Sequence, residues 1–356
     1  MKGENKTIIA YKGFDKNLCC RGFQYEVGKE YELPKGEEVS VCLNGFHACE
    51  SPLEVLEYYF LDDNANLPRF CVVEQSGEFS KEGNSTKVAS SKINIKKEIT
   101  FADLIKLGIE WLKEKTSDAM IGSTGDFANI VSSDLCAKIA SSDYNVKIGS
   151  SGYNARIASS GDSAKIGSTG DFASIGSSGE FANIASSGDN AQIGSSGGRA
   201  QIASSGYDAQ IASSGYNVKI GSLGEDVKIG STGDYAKIGS SGGHAQIASS
   251  SNYVQIGSLG DYAKIASSGD SAQIGSLGDY AKIDSTGEDS VIMCAGRNSR
   301  AKAKKGSWIT LAEWYKDDSC GEMKPKCVKT EYVDGERIKA DTWYKLVDGE
   351  FVETDE

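Results

Sequence analysis

Two histidines and nine cysteines are the side chains of this 356-residue sequence with the widest chemical repertoire, and their spacing limits what they can do. His47 stands in Gly45-Phe46-His47-Ala48-Cys49, where an imidazole could serve as a general base or join Cys42 and Cys49 on a metal. One histidine with two scattered cysteines is not a zinc-type ligand set, and Cys320 and Cys327 read as packing residues. The spacings that cradle phosphates, activate a zinc-bound water or hold a dinucleotide are absent, namely GxxxxGK[ST], HExxH and a helix-opening GxGxxG. The expectation is a protein with no catalytic residue, no metal and no cofactor, and hence no enzyme. The cysteines, Cys19 and Cys20 adjacent among them, lack the regular spacing of a disulfide framework and are expected as free thiols.

The composition sets the background for these residues. Forty-two glycines against four prolines, with 39% apolar and 25% charged residues, exclude collagen and a disordered chain. A net charge of −12 argues against direct binding to nucleic acids or anionic membranes. No apolar run has the length of a membrane span, and the opening MKGENKTIIAYKG lacks the apolar core of a signal peptide. A cytoplasmic protein is expected.

What must position any site is a repeat. From Ile121 to Ile292 an isoleucine recurs every nine residues, twenty times without a gap. Each unit reads Ile, Gly or Ala, Ser, Ser or Thr, Gly, a polar or aromatic pair, Ala or Val, then Lys, Gln, Asn or Arg, as in IGSTGDFAS from Ile166. Alternation puts Ala or Val, Ile and the first Ser on one face of a short strand, leaving Lys or Gln and the Gly or Ala on the other. The Ser-Gly-Asp-Tyr type segment that follows has turn chemistry. The glycine at the fourth position after Ile is expected to supply a positive φ, with Asp134 and Asp143 as tolerated replacements.

Nine residues cannot enclose a core, whereas two units make an 18-residue coil with one strand on each of two facing sheets. The predicted fold is therefore mainly β: a two-sheet β-solenoid of about ten coils, roughly 48 Å long at the usual strand spacing. A triangular coil of equal length is the structural rival. The solenoid spans 117–301. Residues 1–99 read as an α+β domain with strands at Thr7–Tyr11 and Phe70–Glu74 and a helix opened by Ser51-Pro52 with Glu54. A capping helix follows over 100–116, opened by the box Thr100–Asp103, with Phe101, Leu104, Ile105 and Leu112 on one face as a lid. A four-strand β-meander with turns at Asp334-Gly335 and Asp348-Gly349 caps the other end over 302–356.

The segments AYKGFDKNLCCRGFQYEVGKEYE, GFHACESPLEVLEYY, GSWITLAEW and DTWYKLVDGEFVE resemble a family of uncharacterised domains found in phage and prophage genes of Firmicutes and gut bacteria. The resemblance covers about half the chain, with the repeats as an insert, and implies a mobile-element context without any chemistry. A shorter stretch, Gly45 to Pro52 with Glu57-Tyr58-Tyr59, is similar to the GxYFxxxxSKSxxY segment of ADP-ribosyltransferases. That similarity implies His47 in place of the family's tyrosine and Tyr11-Lys12-Gly13 in place of its His-Gly pair. Glu74 is the candidate for its catalytic glutamate.

Calcium binding is not expected, because Asp follows the repeat glycine in only eight of twenty units and Lys lies close by. Ice binding is disfavoured too, since the outward strand positions lack Thr rows. A DNA mimic would concentrate acid on the rod, yet residues 121–300 carry 17 acidic and 12 basic side chains, a net −5 interspersed with Lys. The unevenness between alternate units is more telling. With 18-residue coils, Leu223, Leu259 and Leu277 fall on one edge, and Tyr262 and Tyr280 stack above His244 and Asp226 beside them, while Tyr235 and Tyr253 occupy the opposite edge. Such a ridge on a Ser-Gly surface reads as a protein-contact patch, unless the leucines fold inward to fill corners. The predicted function is non-enzymatic docking on a host protein, such as a defence or nucleic-acid enzyme. A virion or tail-fibre shaft, a DNA mimic and an ADP-ribosyltransferase-like or nucleotide-binding N-terminal domain are the alternatives.

Overall fold

The structure is a computed structural model that describes residues 7–34, 36–41, 43–59, 68–81, 86–115, 121–122 and 125–355. The chain divides into two compact units, residues 1–62 with 67–118, and residues 119–356 with 63–66. No helix among the described residues is long and apolar enough to cross a membrane.

In the first unit, β1 (Ile8–Phe14), β4 (Glu30–Glu32), β5 (Phe46–Cys49), β6 (Arg69–Lys81) and β7 (Lys87–Ile99) form an antiparallel sheet in the order β4-β7-β5-β1-β6. Because β6 also pairs with β7, the sheet closes on itself into a small barrel. The short hairpin of β2 (Cys19–Cys20) and β3 (Phe23–Gln24) follows β1. Alternation along β1 sends Ala10, Lys12 and Phe14 inward. Ala10 and Phe14 join Tyr25, Phe46, Val73, Ile93 and Ile95 in the core. The expected first helix is a single turn, α1 (Val55–Tyr58), so this unit is more strongly β than its sequence suggests.

The second helix, α2 (Phe101–Lys115), begins at the expected box. The Asp103 amide donates to Thr100 Oγ1 at 3.1 Å, and the Thr100 amide donates back to Asp103 Oδ2 at 3.3 Å. Phe101 packs against Phe70, and Gly108 leaves room for Leu53, whose side chain a Cβ there would meet at 2.4 Å. Leu112, expected on the same face, lies outside the residues whose side chains are described.

The second unit is the solenoid, and its coils hold 18 residues. Its strands run from β8 (Ile121–Gly122) to β28 (Arg300–Ala303), with even-numbered strands in one parallel sheet and odd-numbered strands in the other, so two facing sheets replace the triangular alternative. Register is strict, with Ile148 paired to Ile166, Ser150 to Ser168, and so on up both sheets. Ala or Val, Ile and the first Ser of the units are buried along the rod. After the last coil, β29 (Trp308–Lys316) and β30 (Met323–Tyr332) extend the odd sheet as a hairpin. A second hairpin, β31 (Tyr344–Val347) and β32 (Glu350–Glu353), extends the even one. The four expected cap strands are thus two hairpins, one per sheet. Asp348 and Gly349, at φ 50° and 75°, form the tight turn of the second.

The structure corrects the expected role of the repeat glycine. Positive φ falls two residues later, at every ninth residue from Phe127 to Asn298, and neither the repeat glycines nor Asp134 and Asp143 adopt it. The glycine is needed because adjacent coils touch at that point. A Cβ on Gly170 would lie 2.1 Å from Gly152 O, and one on Gly215 would lie 2.1 Å from Gly197 O. Gly125, at the start of the rod, would meet nothing.

Candidate functional site

Two regions gather side chains capable of recognition, one on the solenoid and one in the barrel. On the solenoid, Leu223, Leu259 and Leu277 stand on the edge that follows the odd strands, three residues beyond the isoleucine, and they are 71%, 62% and 55% exposed. The corner-filling alternative is thereby overturned. The backbone amides explain the orientation, because Leu259 N donates to Ser240 O and Leu277 N to Ser258 O. The ladder fixes the main chain and leaves the side chains pointing out.

Three residues further on, His244, Tyr262 and Tyr280 stack with ring centroids 4.9 Å apart and planes within 3° of parallel. One ring per coil must repeat at about the strand spacing, so the column is a direct product of the 18-residue period. Asp226 precedes them in the column. On the opposite edge Tyr235 and Tyr253 stack at 5.0 Å and 13°. All eight residues singled out from the sequence therefore lie on the two corners assigned to them.

The acids of the corners have a structural use. Asp171 Oδ1 accepts the amide of Asp189, Asp189 Oδ1 accepts that of Tyr207, and Asp261 Oδ1 that of Asp279, each 18 residues on. These carboxylates tie coil to coil, so part of the rod's acidity serves its hydrogen bonding.

In the barrel, a cavity of about 520 Å³ opens between β1, β5, the β2–β3 hairpin and the end of α1. Its floor holds Lys12, only 4% exposed although its neighbours on the same strand face are core residues. Lys12 Nζ donates to His47 O at 2.8 Å and contacts Cys20 Sγ at 3.4 Å, and the rings of Phe14, Tyr25 and Tyr59 surround it at 5.5, 5.7 and 5.7 Å. Cys20 Sγ and Tyr59 Oη share a hydrogen bond of 2.6 Å. Gly13 is required here, since a Cβ would meet Tyr59 Cβ at 2.3 Å. Phe23, Tyr31 and Tyr58 complete an aromatic wall, with Arg21 and Lys87 at the rim.

Burial holds the Lys12 pKa below its ordinary value. Desolvation, aided by the positive charges of Lys12, Lys87 and Arg21, lowers that of His47. Desolvation raises that of Cys49 and keeps its thiol protonated. Cys42, the third residue of the metal grouping considered from sequence, lies outside the described residues.

Every segment of the transferase-like similarity except one meets at this cavity: Tyr11, Lys12 and Gly13 from β1, Gly45 and His47 from β5 or just before it, and Tyr58 and Tyr59 at the end of α1. The exception is Glu74, which does not line the cavity and pairs with Lys96 at 3.0 Å. Sequence reading missed Tyr25, Tyr31 and the contact between Cys20 and Tyr59. It named Lys12 without its burial, although a lysine between Ala10 and Phe14 on an inward strand face was a visible signal.

Residues 8–107 match a family model described as a domain of unknown function, DUF7666, which covers the barrel and the start of α2 but not the repeats. No curated protein and no solved structure matches the chain.

Proposed function

We propose that the chain is a non-enzymatic binding protein that docks on a protein partner through the corner of its solenoid bearing Leu223, Leu259, Leu277 and the His244-Tyr262-Tyr280 stack. One observation carries this reading: three leucines at least half exposed stand beside three parallel, stacked rings, on a rod whose other corner positions are mostly Ser, Gly and Asp. Large apolar groups held rigidly outward cost little further entropy on binding, which is what an interface core requires. The resemblance to phage and prophage domains supports a host protein as the partner, encountered in the cytoplasm.

Exchange of Leu259 and Leu277 for Ser tests the reading. The expected outcome is loss of a stoichiometric partner from affinity capture in the bacterial host, with the rod's melting temperature within a few degrees of the parent. Capture by the double variant at the parent's level would refute the assignment of this edge. A chain joining Lys115 to Lys302 is the matched control, and a partner it retains would place the interaction on the flanking regions.

The transferase alternative has one specific observation in its favour, the convergence of its matching segments on one cavity. The position of Glu74 outside that cavity weighs against it.

A further inference from the structure

We propose that the barrel cavity is a binding site for a small aromatic acid, a planar ring bearing one carboxylate or phosphate, whose anion is received by Lys12. This inference is independent of the solenoid edge.

Three observations lead to it. First, Lys12 occupies an inward position of β1 between Ala10 and Phe14, where a barrel core calls for an apolar side chain, and its ammonium ends in the wall of a cavity instead. A buried cation without a counter-ion is costly. Its recorded acceptors are a backbone carbonyl and a thiol sulfur, and no carboxylate pairs with it among the described residues. The burial that lowers its pKa is the same penalty, and an anion in the cavity would remove it.

Second, cations outnumber carboxylates in the cavity lining, with Lys12, Arg21 and Lys87 against Glu32. Arg21 and Lys87 stand at its rim. The carboxylate in the lining, Glu32, is engaged by Lys92 at 3.0 Å. A cleft with a surplus of positive charge in its lining attracts anions.

Third, the remaining wall is aromatic. Phe23, Tyr25, Tyr31, Phe46, Tyr58 and Tyr59 all line it. Phe23 is nearly half exposed although it makes edge contacts with Tyr25 and Tyr31 at 4.7 and 5.4 Å, so a ring face is available at the mouth. The volume, about 520 Å³, falls in the range of small-molecule pockets. Rings around one buried cation select a flat apolar body with a single acid group over an aliphatic acid or a bare anion.

Titration of the full chain with 2-naphthoate, 2-naphthyl phosphate and the neutral 2-naphthamide, followed by probe fluorescence, tests the site. The acids are expected to bind at least tenfold more tightly than the amide. Whichever acid binds more tightly identifies the anion. Lys12→Met, which keeps the stem and removes the charge, is expected to abolish that preference and to raise the melting temperature of the first unit. Phe23→Ser is expected to weaken all three probes together. Equal binding of acids and amide by the parent chain, no binding of any probe at 1 mM, or an unchanged acid preference in Lys12→Met would overturn the proposal. The comparison within the parent chain decides the matter even where the lysine variant fails to fold.

Discussion

The repeat glycine shows how one residue can be essential for a reason that composition alone misassigns. Its frequency suggests turn chemistry, yet the left-handed conformation sits two residues later, on Asn, Asp, Tyr, Phe, His, Ser, Arg or Cys. Glycine is instead demanded by the approach of one coil's backbone to the next. Gly215→Ala places a methyl against Gly197 O, and the main chain must shift to admit it. A cost of about 1–3 kcal/mol is expected, read as a lower melting temperature of the rod. Gly221→Ala, on the outward strand face where a Cβ meets nothing within 4 Å, is the control and is expected to leave it unchanged. An equal fall for both would show that coil contact is not what fixes the glycine, since backbone entropy alone favours Ala at either position. Ser251, Asp134 and Asp143 stand in the same column, and each donates its amide to the Ser Oγ two residues before it.

At the scale of elements, what the sequence made legible follows from periodicity and local capping. Strand, corner and coil length were all readable from the spacing of Ile121 to Ile292, because a period of nine that alternates inside the strand admits few conformations. The box at α2 was readable because its hydrogen bonds are local. Thr100→Ala removes the acceptor of the Asp103 amide and is expected to cost about 1 kcal/mol, lowering the melting temperature of the first unit and leaving the rod's unchanged. Loss of stability in both units would show that the helix is coupled to the solenoid. The barrel was not legible. Its closure depends on β6 and β7 pairing along 13-residue strands interrupted by irregularities at Val72/Val73 and Ser76/Phe79, and no periodic signal encodes it. The cavity follows from that closure, so Lys12, Cys20 and Tyr59, far apart in sequence, could be named singly but not assembled.

At the scale of the molecule, the solenoid behaves as a one-dimensional stack in which each unit contacts its neighbours, so its stability is close to a sum over coils while its surface depends on parity. Units of one parity share an edge, and the ridge exists because Leu223, Leu259 and Leu277 all follow odd strands. Deleting residues 238–255 removes a full coil, keeps parity and brings Leu259 directly above Leu223. Deleting residues 247–255 removes half a coil and sends Leu259 and Leu277 to the edge of Thr232, leaving Leu223 behind. The longer deletion joins Lys237 to Ile256 and the shorter joins Gln246 to Ile256, each keeping the strand register with Ile on Ile, so both variants are expected to fold with melting temperatures close to the parent's. Their capture behaviour is expected to diverge: the 18-residue deletion, which loses His244 but keeps the three leucines and the Tyr262-Tyr280 pair in line, retains the partner, and the 9-residue deletion loses it. Equal capture by both would show that composition rather than arrangement carries binding, and a fall in melting temperature for the half-coil deletion alone would show that the two sheets are not interchangeable.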